Sequence, residues 1–386
     1  MKRIPELDGV RGIAVLMVMG FHCFQDNPLI NSPALKTLGK FSVIGQTGVD
    51  LFFVLSGFLI TRILLAAKPS DSYFRDFYIR RTLRIFPLYY GFLAFSYFLL
   101  PNLLGTSTPH IAQQSWFWLH LQNIPATFQF AQASGPGHFW SLAIEEHFYL
   151  FWPLAVYVFD AKRLFRFSIT LCLLALVSRL LLIASGFSVF YFTFCRMDAL
   201  AIGAIVALIE YRYGLQPFAR QFKIATIALA VGLAAAWPFI SGSHSNLGQL
   251  VKFPLIASLY AAAIGWLATV NASAIAGRFL RGWPLVSIGK ISYGMYVFHP
   301  ICFYFCFQRT AFNFWLAAPL AFAATFIVSA LSFRLYETPF LRLKDRFTPV
   351  QHRERTKPPG DRLPLGHLQF PSPSPSPRSD RPVPTD

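Results

Sequence analysis

The chain has 386 residues, of which 55% are hydrophobic and only 13% are charged. Soluble domains carry about 25% charged residues, so the composition excludes an ordinary soluble enzyme and predicts a protein embedded mostly in a lipid bilayer. The formal net charge of +17 raises the question of nucleic-acid binding. The five cysteines lie in or beside apolar segments without a Cys-x-x-Cys pair, which predicts packing residues rather than disulfides or metal ligands.

Window hydropathy predicts an all-α polytopic membrane protein with a bundle of about ten transmembrane helices. The first apolar run is followed by no small-residue cleavage site, so we expect a retained helix rather than a signal peptide. Residues 1–346 are expected to form one membrane domain, and the Pro-, Ser- and Arg-rich residues 347–386 a disordered cytoplasmic tail. The predicted spans are 10–27, 46–66, 85–104, 139–159, 166–186, 190–210, 223–240, 252–270, 288–308 and 313–334.

The distribution of basic residues predicts the orientation of this bundle. Most of the 34 Lys and Arg residues fall at the two termini and in the loops after even-numbered spans, whereas the loop 105–138 has none. By the positive-inside rule, both termini then face the cytoplasm. Since topology explains the basicity, we expect no nucleic-acid partner.

The first predicted span, in LDGVRGIAVLMVMGFH, contains two charge-capable side chains, Arg11 and His22. Their separation corresponds to ~16 Å of helix, about half of a ~30 Å hydrocarbon core, and to nearly three whole turns. We therefore expect both side chains on one face, with the cation at a membrane surface and the imidazole deep inside. Such groups usually face a protein interior or a wet cavity. A snorkelling arginine beside an unrelated core histidine is the alternative interpretation.

Asp50 lies near the outer end of the second span, at a depth similar to that of His22. A carboxylate there is expected to hold one imidazole nitrogen and to raise the basicity of the other. The alternative is an interfacial carboxylate that caps the start of its helix.

The stretch FYIRRTLRIFPLYY places Arg80, Arg81 and Arg84 at the cytoplasmic edge, beside aromatic residues. Guanidinium groups present planar forks that suit phosphate oxygens, so this cluster is a candidate site for an anionic nucleotide. Arginines that serve only to set the topology are the alternative.

The outer loop ends in GPGHFWSLAIEEHFYLFWPL, which carries Trp140, Ser141, Glu145 and Glu146 into the fourth span. A pair of carboxylates that enters the membrane from outside suggests hydroxyl binding or proton transfer. The alternative is helix N-terminal charge that complements the macrodipole.

For three later groups of polar residues, a structural ion pair or hydrogen bond is an interpretation at least as strong as a direct role in catalysis. Arg196 and Asp198 are expected to satisfy each other. The other two groups are Tyr293 with His299 in the ninth span, and Glu337 at the last inner edge.

Together these stretches resemble the membrane-bound acyltransferase 3 family, whose members O-acylate bacterial surface carbohydrates and some antibiotics. The resemblance covers about residues 1–345, with the motifs in the family's order. The matching segments are LDGVRGIAVLMVMGFH, GVDLFFVLSGFLI, RRTLRIFPLYY, FWSLAIEEHFYL, GKISYGMYVFHP and YETP.

The resemblance implies that Arg11 and His22 form the essential first-helix pair and that Arg81 and Arg84 bind acyl-CoA. It also implies that Ser141–Glu145 is the outer-side motif, that the acyl group is acetyl, and that the protein is a multi-pass protein of the bacterial inner (cytoplasmic) membrane. Longer members carry a fused extracytoplasmic esterase-like domain, which we do not recognise here, so we expect the acceptor to be handled within the bundle.

We therefore expect an O-acyltransferase that moves an acyl group from cytoplasmic acyl-CoA to a hydroxyl of an extracytoplasmic carbohydrate. The sequence leaves the acceptor open among O-antigen, exopolysaccharide, peptidoglycan and lipo-oligosaccharide. No metal motif such as HExxH is present, and thioester chemistry needs none. The competing class is a transporter or flippase in which His22 relays protons. The expected roles are catalysis by His22, Asp50 and Glu145, acyl-CoA binding by Arg11, Arg80, Arg81 and Arg84, and acceptor binding by Trp140, Ser141 and Glu146.

Overall fold

A computed structural model describes residues 4–25, 27–240, 246–271 and 273–347. All regular structure in these ranges is helical, and they contain no strand. Apart from Phe347, the predicted tail lies outside them. The helices are α1 (Glu6–Phe24), α2 (Pro33–Ser42), α3 (Gly48–Ala67), α4 (Tyr73–Ala94), α5 (Leu100–Leu104), α6 (Ile111–Trp118), α7 (Asn123–Phe128), α8 (Trp140–Val158), α9 (Ala161–Ala184), α10 (Thr193–Tyr213), α11 (Ala219–Ile240), α12 (Asn246–Leu267), α13 (Ile275–Leu280), α14 (Trp283–Lys290), α15 (Ser292–Gln308), α16 (Phe314–Ser332) and α17 (Thr338–Phe347).

Shorter helical turns join several of these elements. The 3₁₀ turns are Val43–Thr47, Gly137–Phe139 and Gln216–Phe218, and the π-helical turns are Phe95–Leu99 and Phe333–Glu337.

Seven helical segments in the described ranges are long and apolar enough to cross a membrane, which confirms the all-α membrane class. The other three predicted spans coincide with α8, α10 and α15. Helices α8 and α10 carry acidic or basic side chains such as Glu145 and Arg196, and α15 has only 17 residues. The count of about ten spans and the cytoplasmic placement of both termini stay predictions. The seven segments are Glu6–Phe24, Pro33–Ala67, Tyr73–Leu104, Ala161–Ala184, Gln216–Ile240, Gly248–Leu267 and Phe314–Leu343.

Helices α3 and α10 cross at backbone contact near the centre of the bundle. A Cβ atom on Gly57 would overlap the carbonyl oxygen of Leu200, and one on Gly203 would overlap that of Val54. Helices in a membrane associate by van der Waals packing, which small residues at the crossing permit. This crossing fixes the part of α3 that lines the site.

Helix α1 lies equally close to α14. A Cβ atom on Gly12 would overlap the carbonyl oxygen of Leu285, and one on Gly289 would overlap that of Asp8. One face of α1 is thus held against α14, and Arg11 and His22 face the two cavities described next.

Candidate active site

Helices α1, α3, α4, α8 and α15 enclose a cavity that we call the arginine cavity. Three guanidinium groups line it, from Arg11, Arg81 and Arg84. Its volume of about 100 Å³ holds only a few non-hydrogen atoms, which suits the end of a ligand. Arg80, which we expected to share in acyl-CoA binding, is not among the residues that line this cavity.

Glu145 also lines the arginine cavity. It lies within hydrogen-bonding reach of Ser56 and Tyr149 and close to the charge of Arg81. The Arg81 guanidinium lies 3.8 Å from the centroid of the Tyr149 ring, and the Ser56 and Tyr149 hydroxyls are 2.5 Å apart. Glu145 and Arg81 therefore form one polar cluster in the wall of the cavity.

The sequence predicts Glu145 as a catalytic residue and Glu146 as an acceptor-binding residue, both near the outer end of their helix, whereas the structure brings Glu145 to the arginines. Each turn of an α-helix advances ~5.4 Å, so Glu145 lies one turn beyond Ser141 and reaches the level of the arginines. Glu146 is not among the residues that line the arginine cavity, and it lies close to the charges of Arg81 and Glu145.

The far end of α1 opens into a second cavity, which we call the histidine cavity. It has a volume of about 250 Å³ and is lined by His22 and His138. Val49 and Tyr296 line both cavities, so these two residues form the wall between them. One helix therefore carries Arg11 into the first cavity and His22 into the second, as their spacing predicts.

Hydrogen bonds fix the tautomers of two histidines in this region. Nδ1 of His299 lies 2.8 Å from the carbonyl oxygen of Tyr296 and 3.2 Å from that of Met295. Since carbonyls only accept, Nδ1 carries the hydrogen, and Nε2 of His299 has the lone pair. That Nε2 lies 3.3 Å from Nδ1 of His22, which is also 2.9 Å from the carbonyl oxygen of Val18.

Nδ1 of His22 therefore donates to two acceptors, and its Nε2 keeps the lone pair. A general base or a nucleophile needs this tautomer. His299 was seen in the sequence only as one polar residue of the ninth span. No sequence signal showed that its ring would meet His22.

The prediction that Asp50 orients His22 is wrong. Asp50 accepts a hydrogen bond of 2.6 Å from Arg196. The predicted pairing of Arg196 with Asp198 is wrong too, because Asp198 accepts a hydrogen bond of 2.5 Å from Arg179. All four side chains are buried, and a buried charge requires a partner. The crossings of α10 with α3 and α9 decide which partner each carboxylate receives.

Tyr296 is held in place between the two cavities by its hydroxyl group. The hydroxyl donates to the carbonyl oxygen of His138. Because a hydroxyl has only one hydrogen, it accepts from Ser141 Oγ at 2.6 Å.

Enclosure by protein, with the nearby His22, lowers the pKa of His138 to about 3, so its ring is neutral. Ser141 thus fixes the wall of the arginine cavity, while Trp140 lines the histidine cavity.

The family model described as "Acyltransferase domain" matches residues 4–334 of this sequence. The chain belongs to the acyltransferase 3 family. The match spans both cavities and confirms the resemblance carried by the sequence motifs. Among the described residues, no group of three His, Cys, Asp or Glu side chains is arranged to hold a metal ion. No solved structure matches the chain.

Several bacterial members of this family are similar to the chain. The peptidoglycan O-acetyltransferase OatA of Listeria monocytogenes is 32% identical over 88% of this chain and 56% of its own length. The putative peptidoglycan O-acetyltransferase YrhL of Bacillus subtilis is 30% identical over 77% of the chain and 48% of its own. The O-acetyltransferase OatA of Staphylococcus aureus is 29% identical over 87% of this chain and 57% of its own length. The chain spans about half the length of these curated relatives.

Proposed function

We propose that the chain is a membrane O-acetyltransferase that moves an acetyl group from cytoplasmic acyl-CoA to a hydroxyl of an extracytoplasmic glycan. The observation that carries this proposal is the pair of cavities that meet at Val49 and Tyr296, with Arg11 in one and His22 in the other. The names of the relatives favour peptidoglycan among the acceptors that the sequence leaves open.

The arginine cavity is the donor site in this proposal. In this proposal Arg11, Arg81 and Arg84 meet the phosphates of the donor together, although Arg81 lies beside Glu145 and Arg11 forms an ion pair of 3.5 Å with Asp8. Arg84 is the exposed member of these three arginines, so the cytoplasmic ligand meets it first in this proposal. The thin acyl-pantetheine arm then extends inward, and the thioester passes Tyr296 to reach His22.

The acceptor hydroxyl meets the thioester in the histidine cavity. Nε2 of His22 removes the hydroxyl proton while the hydroxyl oxygen attacks the thioester carbonyl carbon. A carbon–oxygen bond forms, the carbon–sulfur bond breaks, and the CoA thiolate takes the proton back from the imidazolium. The positive charge that His22 carries in between is stabilised through Nδ1–H by the neutral acceptors of His299 and Val18.

The same tautomer allows a second route, in which Nε2 of His22 attacks the thioester and carries the acetyl group itself. Incubation with labelled acetyl-CoA and no acceptor separates the two routes. The general-base route leaves the protein unlabelled after denaturation. An acetyl-imidazole on His22 would give a labelled protein that hydroxylamine discharges.

The experiment that tests the proposed function uses purified protein in lipid nanodiscs with [¹⁴C]acetyl-CoA and a soluble peptidoglycan fragment. We expect release of free CoA and an equal amount of label in the glycan, and neither product with His22→Gln. A transporter in which His22 relays protons would release no CoA, and that result would reject the acyltransferase mechanism.

A further inference from the structure

A third cavity, of about 690 Å³, adjoins the histidine cavity. It is formed mainly by α6, α7 and the segment that leads into α8. Gly137, Trp140 and Tyr191 line both this cavity and the histidine cavity. Its size lies within the ~300–1,000 Å³ typical of ligand pockets. A ligand that occupied it would therefore border the cavity that His22 lines.

The lining of this cavity is uncharged. None of its side chains belongs to Asp, Glu, Lys or Arg, and the same is true of the whole sequence stretch 105–138. A charged ligand placed here would lose hydration without gaining a counter-charge. The cavity therefore suits a neutral ligand.

Amide side chains are unusually frequent in this lining, and we call it the amide cavity. Four glutamines contribute to it: Gln113, Gln122, Gln129 and Gln132. Nε2 of Gln113 donates to Oε1 of Gln132 at 3.2 Å, and both side chains are exposed or half-buried. Such amides offer both donors and acceptors to a ligand rich in hydroxyl or amide groups.

Gln122 supplies a buried acceptor that no group in the described protein satisfies. Its Nε2 donates to the carbonyl oxygen of Phe139 at 2.7 Å and faces the hydroxyl of Tyr89 at 3.4 Å. The Phe139 carbonyl only accepts, which fixes the orientation of the amide. Oε1 has no partner, although the side chain is only 3% exposed. Buried polar groups normally have a partner, so a ligand hydroxyl or amide hydrogen fits here.

Aromatic side chains complete the amide cavity. Phe117, Trp140 and Tyr191 line it beside the glutamines. Pyranose rings present apolar C–H faces together with hydroxyl groups, so they match a wall that combines aromatic rings with amides.

We propose that the amide cavity binds neutral sugar rings of the acceptor chain, next to the ring whose hydroxyl receives the acyl group. This inference rests on the proposed function, since it takes His22 as the point of transfer. Because the lining of the amide cavity has no Asp, Glu, Lys or Arg, an acceptor with uronic acids or phosphates in these positions binds less tightly.

The experiment measures binding of two soluble probes to the full chain in nanodiscs by saturation-transfer NMR. One probe is neutral, N,N′,N″-triacetylchitotriose, and the other is anionic, trigalacturonate. We expect the neutral trisaccharide to bind at least about tenfold more tightly. Equal affinity for the two probes, tighter binding of the anionic probe, or no binding of the neutral probe would each overturn the inference. This comparison needs no variant.

A pair of variants tests the role of the unpaired acceptor. Gln122→Met keeps the length of the side chain but removes the whole amide, both Oε1 and the Nε2 that donates to Phe139, and we expect it to weaken chitotriose binding about tenfold. The control is Gln216→Met, which changes a glutamine that donates to the Thr269 carbonyl outside this cavity and should leave binding within about twofold. Unchanged affinity in the folded Gln122→Met protein would contradict the assignment.

The release of CoA by the wild-type protein is recorded in parallel with these binding measurements. Chitotriose binding with the expected ratios but without acetyl transfer would reject the proposed function and retain the sugar site. Acetyl transfer without selective binding of chitotriose would reject the sugar site and retain the proposed function.

Discussion

Nε2 of His299 lies 3.3 Å from Nδ1 of His22, although the two residues are 277 positions apart in the sequence. The contact places a neutral imidazole where a Ser-His-Asp triad has a carboxylate. His299 accepts the Nδ1 hydrogen and so fixes the tautomer of His22, but it brings no negative charge to the site. We regard His299 as a positioning residue, because it acts on the substrates only through His22.

Substitution of His299 tests this positioning role. Glutamine can present an amide oxygen to Nδ1–H of His22, whereas leucine fills similar space without an acceptor. We expect His299→Gln to keep kcat for acetyl transfer within about tenfold and His299→Leu to lower it about 100-fold or more, the range of general-base effects. KM for acetyl-CoA should stay the same in both variants. Equal rates in the two variants would mean that His299 contributes packing alone.

A comparison of two arginines on α4 tests the donor site. Arg84 lines the arginine cavity and Arg80 does not. A hydrogen bond to a charged group contributes about 1.5–3 kcal/mol, so Arg84→Gln should raise KM for acetyl-CoA about 10- to 100-fold with little change in kcat. Arg80→Gln should change KM by less than about threefold. A similar rise in both variants would show that acyl-CoA binds elsewhere along the basic surface.

The ion pair between Asp50 and Arg196 predicts a loss of stability rather than of chemistry in Asp50→Asn. Breaking one side of a buried pair costs about 3–5 kcal/mol, so the variant should show a clearly lower thermal midpoint in detergent. The control is Asp160→Asn, at an exposed N-cap position where asparagine caps as well as aspartate. The folded fraction of the Asp50→Asn protein should transfer acetyl groups at a rate within about threefold of the wild-type rate. A stable but inactive variant would restore Asp50 to the catalytic group.

His120 makes stability depend on pH. Its ring is buried and stacks on Tyr89 at a centroid distance of 4.0 Å. Burial, with a contribution from His147, lowers the pKa of His120 to about 4 from its usual 6.5. Between these values the unfolded chain binds the proton and the folded protein does not, so stability falls as pH drops from 6.5 towards 4, by up to about 1.4 kcal/mol per pH unit.

The thermal midpoint of wild-type protein and of His120→Gln, measured from pH 7 to pH 4.5, checks this effect. His120→Gln should lose part of the destabilisation at acid pH, so its thermal midpoint should fall less steeply with decreasing pH than that of the wild type. Parallel pH profiles for the two proteins would contradict the assignment of this titration to His120.

Local sequence patterns were sufficient to place side chains that lie on one element. The spacing of Arg11 and His22 predicted that one helix would carry both into the bundle, because helical periodicity fixes their relative direction. The family motifs likewise singled out Arg81, Arg84 and Ser141, which all line the arginine cavity.

Partners between distant elements could not be predicted in the same way. Asp50 and Arg196 are 146 positions apart, and their contact depends on the crossing of α3 and α10 at Gly57 and Gly203. The sequence predicts Glu145 near the outer end of its helix as a catalytic residue, but it does not show that the next turn of the helix meets the arginines. Such choices depend on tertiary packing, which hydropathy and charge counts along the chain do not encode.

Transfer across the membrane between separated substrates tests the central claim most directly. Proteoliposomes are loaded with [¹⁴C]acetyl-CoA in the lumen, and the soluble glycan acceptor is supplied only outside, with acetyl-CoA leakage monitored. We predict labelled glycan outside and free CoA inside for the wild-type protein, and background levels of both for His22→Gln. Label that appears in the glycan only when both substrates share one compartment would contradict a path from the arginine cavity to His22.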